Sequence, residues 1–518
     1  MRNSEHEPRA GSLLHGCCGP LGAMSRREFF AGVGAATVGT AVLGPLALRA
    51  ASGDASGYQP RRLPLRMQPV LTYETPKRRE ATSWRSWGAI ETDAQAAEER
   101  SRIEAELKQL AEEADFPVEF RPTLLCKTAE QAAEIAKAGH DGVIIYAAGA
   151  WLDVLEKLTD PAKWNIVFVR HRSGPVYLWY EIVHNRYLRK TVDDFGQPGM
   201  DVEDVVVDDR ADLLWRLRAL AGLKNTLGRK IVAVGGAAGW GEGGAQAPRR
   251  AAEDWKLEII PVSYPELGKL LDQAYSDSKL VARAEKEAKA YLSDPAVRLE
   301  TDRIFVHRAF VLTEVFKRVM AAAGADAITI NACMGTIMEV SKTTACLPLS
   351  LLNDAGFLAF CESDFVVIPS GILLHSISGR PVFLNDPTYP HHGVVTQAHC
   401  TAPRRLDGRN LEKARILTHF ESDYGAAPKV EIKVGQAVTN LIPDFSDRKW
   451  CGFEGRIAAN PFLAICRSQI DVEVRADVRE LLREMKGFHW MTCYGSYLRE
   501  TGYALKRAGV GWLDLTRA

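Results

Sequence analysis

The sequence has no excess of charge of either sign, no internal repeat and no CxxC pair. Its 65 Lys and Arg residues balance 65 Asp and Glu residues, so there is no electrostatic reason to expect a nucleic acid or an anionic membrane as partner. Hydrophobic residues make up 46% of the 518 residues, which excludes a disordered chain and a multi-span membrane protein. This length predicts two or three domains.

Cysteine is present, but its spacing matches no metal-binding or disulfide framework. Ten cysteines occur, and most of those beyond the N-terminal segment lie in apolar runs after residue 330. This distribution favours small buried hydrophobic side chains, even in a compartment that permits disulfides.

The N-terminal segment has the pattern of an export signal. Residues 25–30 contain a twin-arginine motif, and an uncharged stretch rich in Ala, Gly and Val follows at residues 31–48. The stretch is short and low in Leu, Ile and Phe, so a Tat signal peptide is favoured over a membrane anchor. We therefore expect residues 1–57 to be a signal and spacer, with Met24 as an alternative start. The Tat machinery would then export the folded protein to the periplasm.

After residue 57, short apolar runs alternate with charged helical segments. Continuous apolar runs are typical of strands buried on both faces, and strands separated by helices predict parallel sheets. From about residue 356, shorter strands with many turn residues replace this pattern. The sequence thus predicts two Rossmann-like α/β domains, at residues 58–207 and 208–355, followed by an α+β domain at residues 356–518.

A glycine-rich stretch follows the strand expected at residues 230–234. Gly239, Gly241 and Gly244 satisfy G-x-G-x-x-G before a helix, which is a dinucleotide-binding pattern. The motif begins five residues after the strand, and no acidic residue closes the next strand. A loop at the edge of a cleft is therefore favoured and no dinucleotide cofactor is expected, although an oxidoreductase using this loop stays an alternative.

Two carboxylates follow two successive strands of the second predicted sheet. Glu339 comes after the strand at residues 327–330, and Asp364 follows the strand at residues 357–360. Open α/β sheets bind ligands at the carboxyl ends of their strands, and successive parallel strands usually lie side by side. We therefore expect both carboxylates in one cleft. Glu362 is an alternative to Asp364, since alternate residues of an extended segment share a face.

Histidines follow these carboxylates in the sequence. His391, His392, His399 and Cys400 match no usual zinc spacing, so we expect a polar loop lining the cleft. His489 lies near the C-terminus. Two acidic oxygens and one imidazole would suit a hard divalent cation, Mn²⁺ or Mg²⁺ rather than Zn²⁺, with positions left open for substrate oxygens.

The chain from residue 210 to 510 resembles the L-fucose isomerase family, which is related to L-arabinose isomerase. The resemblance is carried by Glu339, residues 359–364 (AFCESD), 381–386 (PVFLND), 392–395 (HGVV) and 489–495 (HWMTCYG). It implies a fucose isomerase-like fold and a metal held by Glu339, Asp364 and His489. It also implies a homo-oligomer in which a neighbour's N-terminal domain closes the pocket.

The activity implied by the resemblance is aldose–ketose isomerisation of a deoxy-hexose or pentose through an ene-diol at C1 and C2. Mn²⁺ or Mg²⁺ would stabilise the oxyanion, while Glu339 and Asp364 would move the proton. The expected sugar-binding residues are Asn385, Asp386, His392 and Trp490. Turn chemistry before Pro387 also explains the first two, and a tryptophan is often a core residue. A non-catalytic exported sugar-binding or sensor protein with the same fold is the alternative.

Overall fold

The computed structural model describes residues 55, 57–189, 196–241, 243–444, 446 and 448–517. The predicted twin-arginine motif, the uncharged stretch and the alternative start at Met24 lie outside these residues. Within the described residues, no helix is both long and apolar enough to cross a membrane.

The chain divides into two compact units. The larger contains Thr226–Leu498 together with the segments up to Arg61 and from Ala508 onward, and the smaller contains Arg62–Asn225 and Arg499–Arg507. All the candidate site residues predicted from the sequence belong to the larger unit.

A parallel sheet forms the centre of the smaller unit. Its strands are β1 (Leu65–Thr72), β2 (Val118–Phe120), β3 (Leu124–Cys126), β4 (Gly142–Ala147), β5 (Trp164–Val169) and β6 (Val205–Val207). They run in the order β2-β1-β4-β5-β6, with β3 also paired to β1. Its helices are α1 (Asp93–Glu113), α2 (Ala129–Lys137), α3 (Leu152–Leu158), α4 (Trp179–Ile182), a π-helix (Val183–Leu188) and α5 (Arg210–Thr226). Every residue of β4 is buried, as predicted for a strand covered on both faces.

A buried ion-pair network connects α1 to the residue that follows β5. The guanidinium of Arg170 donates to Glu99 Oε1 at 2.5 Å and to Glu106 Oε2 at 2.8 Å. Tyr177 Oη donates to Glu99 Oε1 at 2.6 Å. Arg170 and Glu99 are both buried, so water does not solvate their charges. Each charge is therefore stabilised by the other.

The larger unit contains a second parallel sheet of four strands, which are β7 (Lys230–Val234), β8 (Glu258–Val262), β10 (Ala327–Ile330) and β11 (Leu358–Cys361). Their order is β11-β10-β7-β8, so the two successive strands β10 and β11 are neighbours, as predicted. The carboxyl ends of β7, β10 and β11 meet at one edge of this sheet. That edge carries the glycine-rich loop after β7 and residues 362–364 after β11.

The C-terminal half of the larger unit is an antiparallel barrel. Its strands are β12 (Phe383–Pro387), β13 (Val394–His399), β16 (Ala437–Ile442), β17 (Lys449–Ala459), β18 (Ser468–Val474), β19 (Trp490–Tyr494) and β20 (Gly511–Asp514). The order β16-β19-β12-β13-β18-β17 closes through a β16–β17 pairing, and β20 pairs in parallel with the first residues of β17. A small third sheet contains β9 (Val297–Leu299), β14 (Ala414–His419) and β15 (Tyr424–Val430).

The remaining helices are α6 (Ala247–Asp254), α7 (Tyr264–Ser276), α8 (Ser278–Ser293), α9 (Arg303–Ala323), α10 (Thr336–Ser341), α11 (Cys346–Asp354), α12 (Ile368–Ser378), α13 (Val478–Glu484) and α14 (Leu498–Arg507). The structure is therefore mixed α/β, with two parallel sheets and an antiparallel barrel. Ile328 of the second parallel sheet, Phe316 of α9 and Phe453 of the barrel belong to one buried apolar cluster. The sheet, its helices and the barrel therefore share one core.

Candidate metal centre

Three carboxylates and two imidazoles converge where β11 meets the barrel. They are Glu362 and Asp364 after β11, Asp386 on β12, His399 at the end of β13 and His489 before β19. We call these five residues the carboxylate–imidazole cluster. Four of them are buried, and Asp386 keeps 17% of its side chain exposed.

His489 lies at the centre of the cluster. Its Nδ1 is 2.7 Å from Asp364 Oδ2. Its Nε2 faces Asp386 Oδ1 at 3.2 Å and Glu362 Oε2 at 3.5 Å. Since Asp364 engages Nδ1, Nε2 is the ring nitrogen that faces the other two carboxylates.

Asp364 is fully engaged by the protein. Its Oδ1 accepts the backbone N–H groups of Trp240 at 3.1 Å and Val366 at 3.0 Å, while its Oδ2 is paired with His489. A carboxylate in this position fixes the orientation and the tautomer of an imidazole that binds a metal through its other nitrogen. In this geometry Asp364 orients His489.

The turn after β11 explains how Glu362 and Asp364 reach the cluster together. Glu362 and Ser363 have φ values of 66° and 47°, which is unusual for residues with a side chain. The turn is held because Ser363 N–H donates to Thr329 Oγ1 at 3.1 Å, and Phe365 N–H donates to Ala238 O at 3.0 Å. The first bond joins the turn to β10, and the second attaches the glycine-rich loop to the site.

Trp240 of the glycine-rich loop and Phe488 form an aromatic wall beside His489. The ring of Trp240 stacks on Phe488 with 4.6 Å between centroids and meets His489 edge-on at 5.8 Å. A Cβ at Gly244 would lie 2.0 Å from the carbonyl oxygen of Gly239. The motif's first and last glycines are thus explained by close packing within the loop itself.

The pairing of β12 with β19 determines which of the predicted residues reach the cluster and which pack inside the barrel. Asn385 is paired with Trp490, and both are fully buried. Asn385 Nδ2 donates to Thr492 Oγ1 at 3.0 Å, and Trp490 packs edge-on against Phe453. Because successive side chains of a strand point to opposite faces, Asp386 reaches the cluster while Asn385 and Trp490 pack within the barrel.

Only some of the site residues predicted from the sequence lie in the cluster. The structure brings together Asp364, Asp386 and His489. Glu339 lies exposed on α10, and the described residues give it no hydrogen bond or ion pair to the cluster. His392 lies in an exposed turn with a φ of 49°.

Two members of the cluster were not in the predicted ligand set. Glu362 was only the alternative to Asp364, and His399 was expected in a polar loop with His391 and His392. In the structure His399 ends β13, its Nδ1 lies 3.1 Å from Thr401 Oγ1, and its Nε2 lies 3.7 Å from Glu362 Oε1.

The donor atoms fit a divalent cation. Ligand atoms of Glu362, His399 and His489 all lie within 4.8 Å of one another. The Nε2 atoms of both histidines and both oxygens of Asp386 are buried, yet form no hydrogen bond to any described residue. A buried polar atom without a partner costs about 1–3 kcal/mol, and a cation at this position would satisfy several such atoms together.

The charges of the cluster act on one another. Burial opposes the charged imidazolium, but the negative charge of Asp386 and the hydrogen bond between Nδ1 and Asp364 raise the pKa of His489 well above its ordinary value. Burial would raise the pKa of Glu362, but His399 and His489 lower it to about 2. Glu362 is therefore held ionised, which is the form that binds a cation.

The chain matches no family model, and no curated protein is significantly similar to it. The resemblance to L-fucose isomerases thus rests on the short motifs given above. Any assignment of function has to be argued from the carboxylate–imidazole cluster.

Proposed function

We propose that the protein is a metal-dependent aldose–ketose isomerase of deoxy-hexoses or pentoses, with its active site at the carboxylate–imidazole cluster. The observation that carries this proposal is the buried convergence of two imidazoles and three carboxylates, in which ligand atoms of Glu362, His399 and His489 lie within 4.8 Å of one another. Carboxylate and imidazole ligands together suit Mn²⁺, and carboxylates also suit Mg²⁺.

The geometry supports Glu362, His399 and His489 as the ligands, with Asp386 as a further oxygen donor. Glu362 thus takes the place that the sequence predicts for Glu339. A cation bound there supplies Lewis acidity toward the substrate oxygens on C1 and C2. Asp364 holds His489 with Nε2 directed at the other donors, so the ligand set is organised before any cation binds.

Asp386 is the carboxylate that can transfer the substrate proton. Both its oxygens lack hydrogen bonds to described residues, and it is the most exposed member of the cluster. It would take the proton from C2 of the aldose and return it to C1 of the ene-diol. One hydroxyl proton leaves O2 and one is added at O1, so the reaction needs no oxidant. Positioned proton transfer of this kind contributes about 10²–10⁴-fold to a rate.

The aromatic wall gives the site an apolar side suited to the C–H face of a sugar. Phe488 is 40% exposed and lies stacked on Trp240, next to the buried imidazole of His489. Aromatic rings bury apolar surface while leaving the polar side of the pocket to the charged groups. A deoxy-hexose, with its methyl group, combines both kinds of surface.

The test is metal content combined with a screen of aldoses for ketose formation. Wild type should hold close to one Mn²⁺ per chain and turn over at least one deoxy-hexose or pentose. Glu362→Gln should lose both metal and turnover, whereas Glu473→Gln, an exposed substitution on β18, should keep both. Absence of bound metal after Mn²⁺ addition would overturn the proposal. Sugar binding that is indifferent to a chelator, without turnover, would instead establish a binding or sensor protein.

A further inference from the structure

A second group of metal-binding side chains lies beside the carboxylate–imidazole cluster, with Cys400 Sγ 3.9 Å from Nδ1 of His399. Cys346 begins α11, Cys400 directly follows β13, and His419 ends β14. Their exposed fractions are 6%, 4% and 4%, and their ligand atoms all lie within 4.8 Å of one another. Three separate elements of the fold therefore deliver two thiols and one imidazole to one buried point.

This grouping differs from ordinary core packing. Cys346 and Cys400 pack with Ala427 in a small cluster of their own, outside the large apolar core. The structure places the thiol of Cys400 next to those of Cys346, Cys361 and Cys466. None of the eight described cysteines forms a disulfide. The thiols are thus close together and reduced.

The imidazole of His419 is prepared to act as a ligand. Its Nδ1 lies 3.2 Å from Ser422 Oγ, and its Nε2 lies 4.0 Å from Glu421 Oε2. The hydroxyl of Ser422 plays the part that an outer hydrogen-bond partner plays behind a metal-bound histidine.

We propose that Cys346, Cys400 and His419 form a second metal site, which binds a thiophilic cation of the Zn²⁺ type. Zn–S and Zn–N bonds of about 2.3 and 2.0–2.1 Å place tetrahedral donors within about 4 Å of one another, so small side-chain movements bring these three atoms to ligand distance. The two thiols release their protons to solvent as the cation binds. Cys361 and Cys466, which both lie next to Cys400, are the candidates for a fourth ligand.

The two sites are distinguished by the softness of their donors. Thiolates select Zn²⁺ over Mn²⁺ or Mg²⁺, whereas the carboxylates of the first site accept the harder cations. The inference does not rest on the isomerase proposal, since it uses none of the five residues of that cluster. From the sequence, these cysteines are expected to be small buried hydrophobic residues. The structure adds that two of them lie beside an imidazole.

The experiment is titration of the metal-free protein with Co²⁺, which reports thiolate ligation by a sulfur-to-metal charge-transfer band and is displaced by Zn²⁺. Wild type should develop the band at one equivalent. Cys400→Ser should reduce its intensity at least several-fold, and Cys451→Ser should leave it unchanged. Cys451 is a matched control because it is also buried in the larger unit but lies elsewhere in its core.

A second measurement needs no variant and covers the case in which Cys400→Ser does not fold. Zinc-edge X-ray absorption of the wild-type protein loaded with Zn²⁺ should show two sulfur neighbours and an imidazole. Zinc with only nitrogen and oxygen neighbours, or a band that survives in folded Cys400→Ser, would overturn the proposal. A Cys346–Cys400 disulfide in the mature protein would overturn it as well.

Discussion

Asp364 Oδ2 lies 2.7 Å from Nδ1 of His489, and both side chains are fully buried. The two residues are far apart in the chain, and the turn after β11 and the start of β19 bring them together. This contact sets the direction of the imidazole and so determines which nitrogen can bind a ligand.

Replacing Asp364 should therefore disturb the metal without removing a ligand. In Asp364→Asn the amide oxygen can still accept the N–H groups of Trp240 and Val366, while the amide nitrogen faces His489. It would donate to Nδ1 and favour the tautomer with its proton on Nε2. We expect Mn²⁺ affinity to fall about 10–100-fold, measured by calorimetric titration. Glu339→Gln is the control and should bind Mn²⁺ normally; an unchanged affinity in Asp364→Asn would contradict the orienting role.

Asp386 should be needed for turnover more than for metal binding. We expect Asp386→Asn to retain most of the bound Mn²⁺ but to lose about 10²–10⁴-fold in kcat, since an amide cannot accept the C2 proton. Incorporation of solvent deuterium at C1 of the ketose should fall in parallel. His392→Asn, in an exposed turn, should leave both quantities unchanged. Full activity in Asp386→Asn would assign the proton transfer to another group.

Asp354, at the end of α11, predicts a pH dependence of stability. Burial raises the pKa of Asp354 to about 7, although the backbone N–H of Arg405 donates to it at 2.7 Å and works in the opposite direction. The unfolded carboxyl, with a pKa of about 3.9, ionises first as pH rises, so the folded state binds the additional proton. The free energy of unfolding should therefore fall between about pH 4 and pH 7 and level off above that range.

Asp354→Asn should remove this dependence, because the amide oxygen still accepts the N–H of Arg405 and carries no charge. At pH 8 the variant should be more stable than wild type by up to about 4 kcal/mol, and at pH 4 the two should be similar. Thermal unfolding across this range checks the prediction. Parallel pH profiles for the two proteins would show that Asp354 does not retain its proton on folding.

The buried pair of Arg170 and Glu99 in the smaller unit should contribute strongly to its stability. Glu99→Ala leaves the guanidinium buried without its closest carboxylate, which should cost about 3–5 kcal/mol. The pair of Arg66 and Glu119, which is 54% exposed on both sides, provides the comparison. Glu119→Ala should change stability by at most about 1 kcal/mol in denaturant unfolding. Equal effects of the two substitutions would contradict this assignment.

The parallel sheets were predictable, while the barrel was not. Apolar runs such as β4 and β7 identify strands buried on both faces, and chain order alone placed β10 beside β11. The closure of the barrel depends on the pairing of β16 with β17, and short alternating strands carry no information about their partners. The sequence therefore predicts a change to shorter strands near residue 356, but not that these strands close into a barrel.

The site was predictable only in part, for reasons of local geometry. Glu362 and Asp364 would share a face in a continuing extended strand, whereas left-handed φ values at Glu362 and Ser363 turn the chain at that point. His399 was grouped with His391 and His392 because they are close in sequence, but β13 separates them in space. The burial predicted for the cysteines is confirmed for Cys346 and Cys400, but their proximity to His419 could not be predicted, because the three residues lie on different elements and sequence spacing detects only ligands that are close along the chain.

The position of the bound cation is the central claim and can be observed directly. Crystals of the protein grown with Mn²⁺ would be measured at the manganese absorption edge, and the anomalous difference map would locate the ion. We predict one peak between Glu362, His399 and His489, with Asp386 beside it and Asp364 hydrogen-bonded to His489 behind it. A peak held by Glu339 and Asp364 without His399, or no peak in this part of the larger unit, would contradict the account.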